Sequence, residues 1–229
     1  MSILRSTLFL ALATFSFVAR AQDADGAALA GQVVNGRTYV SPTGAYRVTI
    51  PVLAELGGNI TDTPVVVSFQ DNYNTYVNIA AIEQDATQRW ELSTRGIKDY
   101  LIYFFSNSVL SEFKQAYPGA QSESAKFLPG MLDGSLIASI LLPGGSMFAD
   151  KTPTFLPNQT PPVAKRGYLL FVKYGHVYVI SVELAERVTE GRSYKATPAE
   201  EDEVLRQRLT DVVLKIQFVK PPAADAAAK

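Results

Sequence analysis

The chain has 229 residues, 21 lysines and arginines against 22 aspartates and glutamates, a single histidine and no cysteine. Without cysteine it forms no disulfide, carries no thiolate nucleophile and lacks a cysteine metal site or lipid-anchor cysteine. A near-neutral, slightly acidic balance is not the clustered positive charge that nucleic acid or an anionic membrane surface selects.

The first 21 residues read as a secretory signal. Arg5 supplies a thin positive start, Leu8 to Val18 is an apolar run, and Ala19-Arg20-Ala21 fits a small-x-small cleavage site. The other reading, an uncleaved anchor, needs a longer apolar run to span a bilayer. Residues 22–31 are small and polar and predict a flexible leader. A single domain is expected over 32–220. Removal of the signal leaves 19 basic against 22 acidic side chains. About 208 residues are enough for a domain to stand on its core alone.

Val33–Val40 and Tyr46–Ile50 read as strands joined by Ser41-Pro42-Thr43-Gly44, the second with one wet face. Residues 53–63, with Gly57-Gly58, predict a loop or short turn. Val65–Phe69 and Tyr76–Ile82 form a strand pair around Asp71-Asn72-Tyr73-Asn74, which is turn chemistry. Asp85 and Gln88 predict a capping box for a short helix carrying Trp90. A longer helix follows from about Arg95 to Ala116. Its residues Ile97, Leu101, Phe105, Val109 and Phe113 recur in steps of four, with Tyr100, Phe104 and Leu110 widening an uncharged face suited to lie against a sheet. Residues 121–128 and 135–142 read as a further strand pair.

From Met147 to Lys165 the chain holds four prolines and no helix or strand period. Connections of that length are uncommon in compact domains and are often functional. Phe148, Phe155 and Leu156 stand out there as apolar residues that mark a partner site if exposed. The alternative is that they fold back onto their own domain.

The strongest signal is Gly167–Leu184. Two runs rich in β-branched and aromatic residues flank Tyr174-Gly175, where glycine supplies the positive φ of a two-residue turn. Both faces of both runs are apolar, which places the hairpin centrally in a sheet covered on both sides. Thr197-Pro198-Ala199-Glu200 is a capping box with proline at the first helical position. Leu205, Leu209, Val212 and Val213 make one stripe of a helix over about 198–211, which runs into a last strand before Pro221-Pro222. Residues 221–229 are expected to be a disordered tail.

Catalytic chemistry is sparsely supplied. His176, the only histidine, flanks the hairpin turn. Ser146, in a Gly-Gly-Ser turn, is the nearest thing to an exposed nucleophile, but no G-x-S-x-G elbow is present. Zinc lacks nitrogen and sulfur ligands, and no calcium loop occurs. Asp62, Asp71 and Asp85 fall on separate turns. A pair of carboxylates meeting only in the fold remains open. Gly57-Gly58 lacks the Lys-Ser/Thr of a phosphate loop, so no metal or cofactor is expected. Asn59-Ile60-Thr61 and Asn158-Gln159-Thr160 match glycosylation sequons.

Tyr39, Ser41, Pro42, Gly44 and Tyr46 form an opening that leads into a strand ended by proline. A strand pair, a long helix, two strands, a hairpin and a helix feeding a last strand follow. This order resembles the PsbP-like family over about Tyr39 to Val219. The resemblance implies an α+β fold, a central antiparallel sheet sandwiched by helices (an α/β/α sandwich), and a protein that binds and stabilises other proteins. It carries over no functional residue. The expectation is therefore an exported, periplasmic or secreted, non-enzymatic domain that binds a protein partner as an assembly or stability factor. The alternative is a small-molecule-binding module or hydrolase, with a pocket under the 147–165 loop that uses carboxylates or Ser146.

Overall fold

The computed structural model describes residues 28–151 and 162–221. The signal, the start of the leader, Phe155, Leu156, the second sequon and the end of the tail lie outside the described residues. The chain is α+β. A seven-stranded antiparallel sheet runs in the order β4 (Asn59–Asp62), β5 (Val66–Gln70), β6 (Tyr76–Glu83), β10 (His176–Glu183), β9 (Val163–Lys173), β8 (Ser135–Pro143), β7 (Gln121–Leu128). A second antiparallel sheet has the order β1 (Gln32–Val34), β2 (Thr38–Val40), β3 (Tyr46–Thr49), β11 (Ile216–Phe218).

The hairpin predicted from Tyr174-Gly175 is the centre of the large sheet. Both turn residues have positive φ, 51° and 78°, as a tight hairpin of this twist requires. That turn fixes the register, with Val177 opposite Val172 and Glu183 opposite Arg166. Helices cover both faces of the sheet. On one face lie α1 (Ala86–Phe104), a π-helical turn over Phe105–Val109 and α2 (Leu110–Ala116). Tyr100, Leu101, Phe105 and Phe113 there bury against Leu136, Ile140, Tyr168 and Leu170. On the other face, the second sheet and α4 (Pro198–Leu214) enclose a core that joins Tyr39, Tyr46 and Val48 to Phe69, Ile79, Phe171 and Tyr178, with Leu205 and Leu209 from α4. A short helix α3 (Glu186–Thr189) follows β10.

Several local features differ from expectation. Val33–Val40 is not one strand: Asn35 and Gly36, at φ 52° and 64°, fold it into the β1–β2 hairpin. Asn-Gly is a strong turn signal within an apolar run. The 53–63 segment contains strand β4, whose Asp62 is no turn residue. Its carboxylate accepts from Ala30 N at 2.8 Å, Gly31 N at 2.7 Å and Tyr39 Oη at 2.7 Å, so the end of the expected leader is fastened down. Both capping boxes are present, at Asp85 and at Thr197. The helix from Thr197 extends three residues past its expected end. The short helix carrying Trp90 and the longer one meet at Gly96, whose φ of 77° and ψ of 162° lie in a region open essentially to glycine alone.

Candidate functional site

One end of the large sheet gathers three loops. In the β5–β6 turn the buried Asp71 carboxylate accepts the backbone N–H groups of Tyr73, Asn74 and Thr75, each at 2.9 Å. Burial pushes its pKa up, but these backbone bonds outweigh that and hold it below the usual carboxylate value. The turn is thereby rigid, and it projects Tyr73, which is 60% exposed. Before β4, a 3₁₀ turn over Ala54–Leu56 closes on Gly57 in the left-handed region, with Leu53 60% and Leu56 39% exposed. Asn72 N donates to Leu56 O at 3.1 Å, which joins the two loops. Leu53, Leu56 and Tyr73 are thus exposed apolar side chains carried on fixed backbone.

The third loop connects β8 to β9. Gly144 N donates to Pro162 O at 3.0 Å, pinching its two ends together. Glu183, buried at the end of β10, organises the root. It accepts from Ser146 Oγ at 2.6 Å, from Met147 N at 3.1 Å and from Arg166 Nε at 2.9 Å. Arg166, 1% exposed, also donates to Gly145 O at 2.9 Å and stacks on the Tyr76 and Phe113 rings. Burial works against the guanidinium charge, but Glu183 outweighs it and keeps the pKa above its ordinary value. Gln70 Nε2 donates to Met147 O at 2.9 Å, so this root abuts the strand that leads into the Asp71 turn.

These contacts place the residues singled out in the sequence. Phe148 is fully buried against Tyr76 and Ala185 and is therefore not an exposed partner contact. Phe155 and Leu156 lie outside the described residues. The irregular stretch ends before Val163, because Val163, Ala164 and Lys165 already belong to β9. Ser146 donates to a carboxylate, while His176 starts β10 at the opposite end of that strand, about 23 Å away by strand rise. The pair does not assemble a serine–histidine site.

Sequence reading missed the charges at the start of β9. Lys165, with a fully buried side chain, meets Asp202 at 2.7 Å, Glu201 at 3.2 Å and Glu123. Burial lowers its pKa, and these carboxylates together outweigh that and raise it. Arg187 pairs with Glu201 at 2.7 Å and donates to Val163 O at 2.9 Å. The missed signal was the hairpin register itself: counting back from Tyr174-Gly175 sets Glu183 directly opposite Arg166.

A separate cleft opens between the π-helical turn and the sheet. Its cavity is ≈ 60 Å³, lined mainly by apolar side chains, with Asn78, Ser108, Glu112 and Ser181 as polar members. Burial raises the Glu112 carboxyl pKa. Asn78 donates to Tyr76 Oη at 2.9 Å, and its Oδ1 is buried without a partner. This cleft lies under α2, and its lining does not include Ser146. Among the described residues, no cluster of three histidines or carboxylates is arranged to hold a metal ion, and no helix is long and apolar enough to cross a membrane.

No protein-family model matches the chain, and no curated protein sequence does. Among solved structures it is similar to the Ran-binding protein Mog1p of Saccharomyces cerevisiae, at 12% identity over 84% of this chain and 97% of that one, with a TM-score of 0.48. It is similar to cyanobacterial PsbP from Synechocystis, at 14% identity over 85% and 98% of the two chains, with a TM-score of 0.47. A structure from Bacteroides thetaiotaomicron gives 10% identity over 82% of this chain and 50% of that one, with a TM-score of 0.43.

Proposed function

We propose that this chain is an exported, non-enzymatic domain that binds a partner protein through the loop end of its large sheet, as an assembly or stability factor. The supporting observation is the group Leu53, Leu56 and Tyr73: large apolar side chains left in water on backbone that is internally fixed. Exposed apolar groups at a loop cluster mark interaction sites more often than ornament. The β8–β9 loop is rooted at the same end of the sheet, through Gly144 with Pro162 and Gln70 with Met147, and its Phe155 and Leu156 join the proposed contact set. Residues 1–21 act as the export signal in this reading, which puts the partner outside the cytoplasm.

The test is photo-crosslinking in cells from probes placed singly at Tyr73, Phe155 and Trp90. Trp90 is also exposed but lies on α1, away from the loop end. The expected result is one shared protein adduct from Tyr73 and Phe155 and none from Trp90. Equal adducts from all three positions, or none from Tyr73, would overturn the proposal.

A further inference from the structure

The cleft beneath the π-helical turn sets two acceptors, Asn78 and Glu112, among the hydroxyls of Ser108, Tyr168 and Ser181, and Tyr168 Oη is buried without a partner. Asn78 is 5% exposed, with its Nδ2 committed to Tyr76 Oη and its Oδ1 unpartnered at the cavity wall. A buried amide oxygen left unpaired carries the desolvation cost of that group, about 1–3 kcal/mol, which a donor in the cavity would recover. Glu112 offers a second acceptor, and no described cation pairs with it. Arg166, which reaches Phe113 from the neighbouring side, already has Glu183 as counter-ion. The remaining walls include the rings of Phe104, Phe113 and Tyr168, whose faces attract cations. Ser108 comes from the π turn, a helix distortion that recurs at functional sites.

Two acceptors, one of them a carboxylate that no described cation pairs with, and aromatic faces select a donor that carries positive charge. We propose that this cleft is a binding site for a small apolar primary amine. The ammonium donates to Asn78 Oδ1 and Glu112, and the hydrocarbon part lies against Val66, Val179 and the aromatic rings. The cavity of ≈ 60 Å³ is well below the roughly 150 Å³ of an apolar cavity that takes up benzene, so the occupant is a short-chain amine of two or three carbons. This site is distinct from the loop end and stands whether or not that end binds a protein.

The probe is ethylamine, with ethanol and acetate as near-isosteres that remove or reverse the charge. Titration of the full chain, followed by calorimetry and by amide chemical shifts, should give at least tenfold tighter binding of the amine than of the alcohol, and no acetate binding. The largest shifts are expected at Ser108, Val109 and Ser181. Glu112→Gln should remove the preference of amine over alcohol. Asn78→Leu, which replaces the orphaned amide by an apolar group of similar size, should weaken the amine with circular dichroism unchanged. Amine binding that both variants leave intact, shifts confined to other surfaces, or no binding at millimolar amine would overturn the proposal.

Discussion

The Arg166–Glu183 pair offers the sharpest test of how the loop root is held. Glu183→Gln keeps the size of the side chain and removes its charge. Arg166, 1% exposed and stacked between two rings, then keeps a buried charge with no counter-ion. Breaking a buried pair from one side costs about 3–5 kcal/mol. The upper end is expected, because Ser146 Oγ, Met147 N and Arg166 Nε all donate to Glu183, and an amide offers one acceptor oxygen in place of two. In a domain of this size each kcal/mol moves the melting temperature by about 2–4 °C, so a fall of roughly 10–20 °C is expected. Urea unfolding gives the free energy directly, and an unchanged slope would show that the unfolded state is not the cause.

The double variant Arg166→Met with Glu183→Leu separates stability from placement. Replacing a buried pair by apolar groups is often neutral or stabilising. Most of the lost stability should therefore return, while Ser146 and Met147 still lack their acceptor and the loop root is loosened. Capture by the Tyr73 probe should stay weak in this stable protein. A Glu183→Gln cost below about 1 kcal/mol, or a double variant as unstable as the single one, would refute the assignment of the pair as the anchor.

Other outcomes follow from the core. A Cβ added at Gly167 would lie 3.0 Å from Leu205 Cβ and 3.2 Å from Leu209 Cδ1, so Gly167→Ala should cost about 1–3 kcal/mol by pressing α4 off the sheet. In a Leu209→Ala background, which removes the Cδ1 contact, that cost should shrink in part, as a double-mutant cycle would register; full additivity would count against the contact. Tyr174 sits at φ 51°, a conformation that asparagine tolerates better, so Tyr174→Asn should raise the urea midpoint by a gain of about 0.5–1 kcal/mol. Burial pushes the phenols of Tyr178 and Tyr194 from 10.0 up to about 12, and it raises those of Tyr39, Tyr46 and Tyr168 as well. Above the unfolded pKa of about 10 the unfolded chain has released protons that the folded chain keeps. Stability from these groups is therefore complete below that pH and falls as pH rises, with tyrosinate absorbance appearing together with loss of circular dichroism. Complete ionisation in a chain that keeps its native circular dichroism would contradict the burial.

The hairpin, both capping boxes and the sheet-facing helix were legible because each rests on local chemistry or period. The spacing of the helix stripe held more than it was asked. Steps of four from Ile97 to Phe113 drift by about 40° each on a regular helix. Keeping that stripe on the sheet requires local underwinding, which the π turn at Phe105–Val109 supplies. Gly96 likewise separates two helices that periodicity alone locates only within a few residues. The second sheet was not legible, since nothing near Ile216 says that its partner is Val48, far away in sequence. The cleft was missed for the same reason: Asn78 and Glu112 meet only once α2 has folded onto β6. Of the two readings open for Phe148, a partner contact or folding back onto its own domain, sequence could not choose, because its neighbours Tyr76 and Ala185 are distant along the chain.

The start of β9 shows how one dipeptide ties these parts together. Successive strand residues point to opposite faces, so Lys165 and Arg166 enter the two layers separately. Lys165 gathers Glu123 from β7 with Glu201 and Asp202 from α4, while Arg166 gathers Glu183, Gly145 and the Tyr76 and Phe113 rings. Two adjacent charges thus pin the helix on one face and the loop root on the other. Apolar residues at both positions would fill the same space, but they would set neither the loop root nor the seat of α4. Buried ion pairs add little net stability and are better suited to specifying one arrangement. At the sheet end where exposed Leu53, Leu56 and Tyr73 gather, a specified arrangement is what a binding surface needs: its apolar side chains must be held in place before a partner arrives, or the ordering cost is subtracted from affinity.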